Sequence, residues 1–249
     1  MRKINKSEPP EFADQTDNYK KCRRKFAEQT ANFTNWENEF LNPLKEECTI
    51  TILNDEQKGL SGYTEMPLDY EKCRRKGLLH IDHFIKRELD PSKMFDWDNL
   101  IVDIQRKGNG KIKVPGYDDD FNFGASFKDN KIKTQNIKTE EDRIKKLQIN
   151  SRLINPVTEN PHHFFMYLEN GEIAVNDRLQ SEDEKQRAKE TIEVFNLNHR
   201  ILKEKNRQSL LDLIRDSQMP FQDVLNCVKE FGFFSVVEFE LDREHLYKG

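Results

Sequence analysis

The stretch from His80 to Leu100 constrains this chain more than any other: His-Ile-Asp-His-Phe-Ile-Lys-Arg-Glu-Leu-Asp-Pro-Ser-Lys-Met-Phe-Asp-Trp-Asp-Asn-Leu. Two histidines stand three residues apart, with an acid directly before the second. A proline-containing loop and an aromatic pair follow, and Asn99 comes sixteen residues after His83. In that order the residue types suit attack on a phosphodiester. A carboxylate holds a hard divalent cation that polarises the phosphate, and a neutral imidazole takes a proton from the attacking water. An amide at the far end of the loop can bond backbone and fix the histidine in place. Alone, Asp-His-x(15)-Asn matches many sequences by chance, so its weight depends on its flanks.

At 249 residues the chain has room for one large domain or two small ones, and for a real core. Hydrophobic residues make up 35% and charged residues another 35%, against roughly 45–50% and ~25% in average domains. That balance implies a modest core, much solvated surface, helical hairpins and extended arms. A formal net charge of −4 supplies no global basic field, so phosphate binding would rest on local patches or a partner. Cys22, Cys48, Cys73 and Cys227 form no pair at zinc-knuckle spacing and imply no disulfide framework. Met1-Arg-Lys-Ile-Asn-Lys lacks an apolar leader segment, and no apolar run approaches the ~18 residues of a membrane span. The expected setting is the reducing cytosol, away from any membrane.

Residues 1–18 read as an arm, with Arg2-Lys-Ile as a possible edge strand and Pro9-Pro10 breaking regular structure. Phe26, Phe33, Trp36, Phe40 and Leu41 predict a helix over 19–44, with Pro43 marking its end. Thr49-Ile-Thr-Ile-Leu reads either as a strand or as the start of a helix. The similar basic runs Tyr19–Lys25 and Tyr70–Lys76 read as solvated faces ahead of phosphate grips. Asp118-Asp-Asp120 reads as a solvated loop, because no Gly or Glu follows at calcium-loop spacing. Thr139-Glu-Glu-Asp predicts a charged helical turn. Phe164–Leu168 and Glu172–Val175 flank Asn170-Gly171 and predict a hairpin. Ser181-Glu-Asp-Glu184 is a capping box opening a helix with Ala188, Ile192 and Phe195 on its apolar face. A second helix is predicted over His199–Asp216 and a third from Pro220, while Phe233–Leu246 reads as helix or strand.

Together these segments resemble the PtuB family of HNH proteins, which stand beside an ATPase in Septu and retron anti-phage systems. The likeness covers nearly the whole chain. Met1-Arg-Lys-Ile and Glu8-Pro-Pro10 are similar to the family's opening. Gly59-Leu-Ser-Gly-Tyr-Thr-Glu65 stands where it has Gly-x-Cys-Ala-Tyr-Cys-Glu, and His80-Ile-Asp-His-Phe84 where it has His-Ile-Glu-His-Phe. Phe95-Asp-Trp-Asp-Asn-Leu100 resembles Phe-x-Trp-x-Asn-Leu, and Phe127-Lys-Asp-Asn130 resembles Tyr-Lys-Asp-Asn. Outside the site, Asn155-Pro156, Glu159-Asn-Pro161, Glu169-Asn-Gly-Glu172 and Ala188–Asn198 match in order and spacing. The departure is systematic. The family's zinc-binding cysteines fall on Ser61 and Thr64 and near Ile104 and Ala125. The resemblance therefore implies a branch without structural zinc, its cross-link replaced by packing of Tyr63, Ile104, Phe121, Phe123 and Phe127.

The fold implied is α+β. It has an N-terminal arm and helix over 1–50, a ββα-metal HNH-like nuclease unit over 51–150, and a mainly helical region over 151–249 that docks on a partner. The resemblance implies His83 as general base and Asp82 as ligand of a divalent metal, Mg²⁺ first among candidates. Neighbours on a regular strand face opposite ways, so the chain must bend here for both to serve one ion. His80 is a second ligand or an orienter. Asp129 or Asn130 takes a third metal position, slightly ahead of Asn109 and Lys128. Asn99 holds the loop, Lys128 stabilises charge developing on the phosphate, and Lys86 and Arg87 grip the nucleic-acid backbone or stay solvated. The activity implied is cleavage of DNA or RNA as effector of a defence complex with an ABC-type, PtuA-like ATPase. The alternative is a catalytically silent subunit that binds and regulates that ATPase. Loss of the zinc ligands favours the silent subunit, and retention of Asp82, His83 and Asn99 favours the nuclease.

Overall fold

The computed structural model describes residues 1–7, 42–75, 77–94, 96–104, 122–135, 137–216, 223 and 232–247. The helix expected before residue 42, the basic run at 19–25, the Asp118–Asp120 loop, Asn109 and the helix expected from Pro220 lie outside them.

Helix α1 (Asn42–Ile50) runs on into a π-helical turn, Thr51–Glu56. Pro43 sits in the first turn of α1, where a missing N–H costs nothing, so it opens a helix where the sequence pattern placed an end. The β-branched run at 49–53 is thereby helical. After α2 (Tyr70–Arg75) come β1 (Leu79–His83) and β2 (Leu100–Ile104), paired antiparallel with Leu79 opposite Ile104 and His83 opposite Leu100. Then follow α3 (Ala125–Lys131), α4 (Glu140–Arg152) and α5 (Pro161–Phe164). A hairpin of β3 (Phe165–Tyr167) and β4 (Ile173–Val175) leads to α6 (Glu182–Val194). A π-helical segment, Ile201–Gln208, continues into α7 (Ser209–Asp216), and α8 (Phe234–Tyr247) closes the order. The chain is thus mixed helix and sheet, with two small antiparallel sheets among the described residues.

Local signals account for much of this. The Ser181 hydroxyl accepts from the Glu184 N–H at 3.3 Å and starts α6, and Thr139 does the same for α4 through Asp142 at 3.1 Å. In the hairpin the Leu168 N–H bonds the Glu172 carbonyl at 2.8 Å, and Gly171 takes the left-handed conformation at φ +76°. The ambiguous tail is helical, as α8. Residues 1–7 form no strand. Ile4 instead donates to the Pro156 carbonyl at 2.8 Å and buries its side chain beside that of Met1.

One apolar cluster runs through the described chain from Met1 to Val237, and it takes in Ile52, Ile101, Phe195 and Leu211. The apolar faces of α6, the π-helical segment and α7 (Ala188, Ile201, Leu202, Leu210) are buried in it. Buried charges tie its margins. Glu65 receives the Met1 ammonium at 2.8 Å and the Ser235 N–H at 2.9 Å, joining both ends of the described chain. Burial pushes the Glu65 carboxyl up, but the Met1 amine and the Ser235 bonds outweigh it and hold the group below its usual range. Glu56 accepts from Lys6 Nζ, Ser7 N and Trp97 Nε1, all at 2.8–2.9 Å. Arg207 donates to the carbonyls of Gly171 at 2.6 Å and Leu197 at 2.7 Å. Among the described residues no helix is long and apolar enough to cross a membrane.

At Gly171 a Cβ would lie 2.4 Å from the Lys203 carbonyl oxygen and 2.6 Å from the Gln208 nitrogen, both backbone atoms. Gly171→Ala should therefore cost about 2 kcal/mol or more, from the left-handed φ and the forced separation of hairpin and helix. Urea unfolding reads this as a lower midpoint at unchanged slope. An unchanged midpoint would mean that the hairpin does not rest on residues 203–208.

Candidate active site

Strand β1 ends at His83, and the chain bends at Phe84 and Ile85. Two buried amides build the bend. Asn99, just before β2, accepts the Phe84 N–H through its backbone carbonyl at 2.8 Å and the Ile85 N–H through Oδ1 at 2.7 Å. Its Nδ2 donates to the carbonyls of Ile85 and Lys93, both at 2.9 Å. Asn150 of α4 donates to the Phe84 carbonyl at 2.7 Å and accepts the Lys86 N–H at 3.3 Å. Backbone groups stranded by the end of the ladder thus find partners, as buried polar groups must.

The bend brings neighbours Asp82 and His83 to one cavity of about 310 Å³. Of the residues expected at the site, His80, Asp82, His83, Lys86, Arg87 and Asp129 line it, joined by Lys45, Glu88 and Gln135 among others. Asn99 lies behind the wall, Lys128 lies beneath it, and Asn130 is exposed on α3 away from it.

His83 Nε2 is 2.8 Å from the Met94 carbonyl oxygen. A carbonyl only accepts, so Nε2 carries the proton and Nδ1 carries the lone pair. Burial pushes the imidazole pKa down to about 4, so the ring is neutral near pH 7. His80 is lowered to about 4 by the same cause.

Lys128 enters from α3 with no side-chain exposure and forms an ion pair with Asp82 Oδ2. Its ammonium also donates to the carbonyls of His83 at 2.8 Å and Phe84 at 3.2 Å. The Tyr63 hydroxyl donates to the same Asp82 oxygen at 2.5 Å, and its ring stacks on Phe195 with centroids 4.3 Å apart. Burial works against both charges of the pair. At Asp82 the attraction of Lys128 prevails and keeps the carboxyl below its usual range, while burial lowers Lys128 to about 8. In the wall itself, Lys86 pairs with Asp129, and Arg87 Nε stands 3.2 Å from Glu88.

Among the described residues no three His, Cys, Asp or Glu are grouped as a preassembled metal cage. Asp82, Asp129 and His80 nevertheless face one cavity. That donor set fits a hard cation such as Mg²⁺, which takes one or two carboxylates and fills its other positions with water and phosphate oxygen. It does not fit a closed tetrahedral site.

A second cluster joins Ser61, Thr64, Ile104 and Ala125 without sulfur. Ser61 Oγ donates to Asp103 Oδ1 at 2.5 Å and accepts from Thr64 N and Oγ1 at 3.0 and 2.8 Å. Asp103 Oδ2 accepts the Ala125 N–H at 2.7 Å, and Ser126 Oγ reaches the Ile104 carbonyl at 3.5 Å. Gly124, at φ +62°, lets the helix start approach this closely, since a Cβ there would lie 2.3 Å from Asp103 Oδ2. A carboxylate knot thus links the 61–64 loop, β2 and α3. Tyr63, Ile104 and Phe123 are buried nearby, Phe127 is half-buried, and Phe121 lies outside the described residues.

Asp103 and Asn150 escaped sequence reasoning. Asp103 carries a signal, being the one acid in the apolar run Leu100-Ile-Val-Asp-Ile104, whereas nothing local marks Asn150. No protein-family model matches the chain, and no curated protein matches it.

Burial raises the Asp103 pKa to about 6 despite the bonds from Ser61 and Ala125. A carboxyl raised above its unfolded value of about 3.9 stabilises the fold below that pH and loses the contribution as pH rises through 6. The stability of wild type relative to Asp103→Asn should thus fall by about 2–3 kcal/mol between pH 4 and 7. Urea unfolding across that range measures it. A difference independent of pH would remove Asp103 from the centre of the knot.

Proposed function

We propose that the chain is a metal-dependent HNH-type endonuclease of PtuB-like kind, hydrolysing nucleic-acid phosphodiester bonds. The observation that carries the reading is a neutral, buried His83 beside Asp82 in the wall of a cavity that Lys45, Lys86 and Arg87 also line. The phosphate of a bound strand sits against these cations. His83, held through Nε2 by the Met94 carbonyl, takes the proton of the attacking water on Nδ1. Asp82 and Asp129 would hold the divalent cation, which supplies charge neutralisation at the phosphate when bound. Asn99 and Asn150 fix the bend on which the base and the carboxylate depend. The net charge of −4 suits a subunit whose grip on nucleic acid comes partly from a partner, and an ABC-type ATPase in an anti-phage complex is the partner proposed.

A second reading, a silent subunit that regulates such an ATPase, draws on the pairing of each site carboxylate with a lysine. Cleavage assays separate the two. His83→Ala should lose roughly 10²–10⁴ in rate on DNA or RNA with Mg²⁺ present while folding as the parent does. Cleavage by this variant at the parent's rate would end its role as base. Absence of cleavage by the parent, alone and with the ATPase, would favour the silent subunit. Chelation should stop cleavage yet leave the melting temperature unchanged, because the 61–125 knot is held by hydrogen bonds. A fall in melting temperature on chelation would show a metal holding the fold.

A further inference from the structure

We propose that the Lys86–Asp129 ion pair is an inhibitory clasp across the cavity, one that couples divalent-cation binding to substrate binding. The proposal rests on the nuclease reading of the same cavity.

Lys86 Nζ pairs with Asp129 Oδ1, and both side chains line the cavity that His80, Asp82 and His83 share. The pair is only partly wet, with the side chains 12% and 30% exposed, so it is screened less than a surface bridge. Both backbones are held. The Lys86 N–H is bonded by Asn150, and Asp129 follows Lys128, whose ammonium is locked into the interior. Opening the pair therefore means swinging side chains while the backbone stays put.

Three ion pairs meet at the wall in this state: Arg87 faces Glu88, Lys86 faces Asp129, and Asp82 is met from beneath by Lys128. A phosphate must compete with Asp129 for Lys86, and a dication must compete with Lys86 for Asp129. One displacement removes both costs. When a dication takes Asp129, Lys86 is released to the phosphate, and a phosphate that takes Lys86 draws it off Asp129 in turn. The two bindings are then reciprocally cooperative.

Binding, measured on the full chain carrying His83→Ala to suppress turnover, tests this. Mn²⁺ titration followed by the magnetic resonance of the free ion should show Lys86→Met tightening Mn²⁺ on the order of tenfold. Arg87→Met removes a charge from the same wall without breaking the Lys86–Asp129 pair, and should change Mn²⁺ affinity much less. Fluorescence anisotropy of labelled single- and double-stranded DNA and RNA then reads the other side. Mg²⁺ should tighten binding on the order of tenfold in the parent. Asp129→Asn should bind tightly without Mg²⁺ and gain little from it. Equal Mn²⁺ shifts in Lys86→Met and Arg87→Met, or an oligonucleotide affinity indifferent to Mg²⁺, would overturn the clasp. If no oligonucleotide binds, either alone or with the ATPase present, the nuclease reading falls, and the Mn²⁺ comparison still decides whether Lys86 competes for Asp129.

Discussion

The ammonium of Lys128 sits in the interior with Asp82, the Tyr63 hydroxyl and two main-chain carbonyls around it, and the frame of the site depends on that arrangement. Taking two charges out of water is expensive, and removing one partner of such a pair typically costs about 3–5 kcal/mol. Here the cost secures geometry. The carbonyls of His83 and Phe84 leave the ladder where β1 ends, and without the ammonium and Asn150 they would be stranded. With them, the strand can turn sharply, and Asp82 and His83 both reach the cavity.

The same logic recurs across the molecule. A chain with 35% hydrophobic residues builds a core of limited extent and joins its edges with buried polar groups. Glu65 gathers the first residue and α8, Glu56 gathers the arm and the loop before β2, and Arg207 clamps the β3–β4 hairpin. Each is largely buried and each spends its bonds on segments far apart in sequence. Such groups add less net stability than apolar packing of equal size, but they specify which segments meet.

What was legible in the sequence is what depends on near neighbours. The capping box at Ser181, the Asn170-Gly171 hairpin and the helix over 199–216 follow from spacing of a few residues. The bend after His83 was readable too, because adjacent strand residues cannot otherwise share a cavity. Pro43 misled because proline both ends and opens helices, and only the following residues distinguish the two. The deeper contacts were out of reach. Lys128 meets Asp82 across 46 residues, Asn150 meets Phe84 across 66, and Ser61 meets Asp103 across 42. No periodicity encodes such pairings, so Lys128 read as a group facing phosphate when it lies beneath the wall, and Asp103 drew no reading at all.

The knot around Asp103 has a consequence for the conditions the protein can withstand. Thiolates climb an oxidation ladder from sulfenic acid to disulfide or beyond, and a cross-link made of them fails when they do. The groups that join the 61–64 loop, β2 and α3 are hydroxyl, carboxylate and amide, none of which takes part in that chemistry. The described cysteines, Cys48 and Cys73, are buried and stand apart from the knot. Burial raises the Cys48 thiol to about 12, which keeps it in its unreactive protonated form. The link between the 61–64 loop, β2 and α3 is thereby independent of the redox state of any thiol.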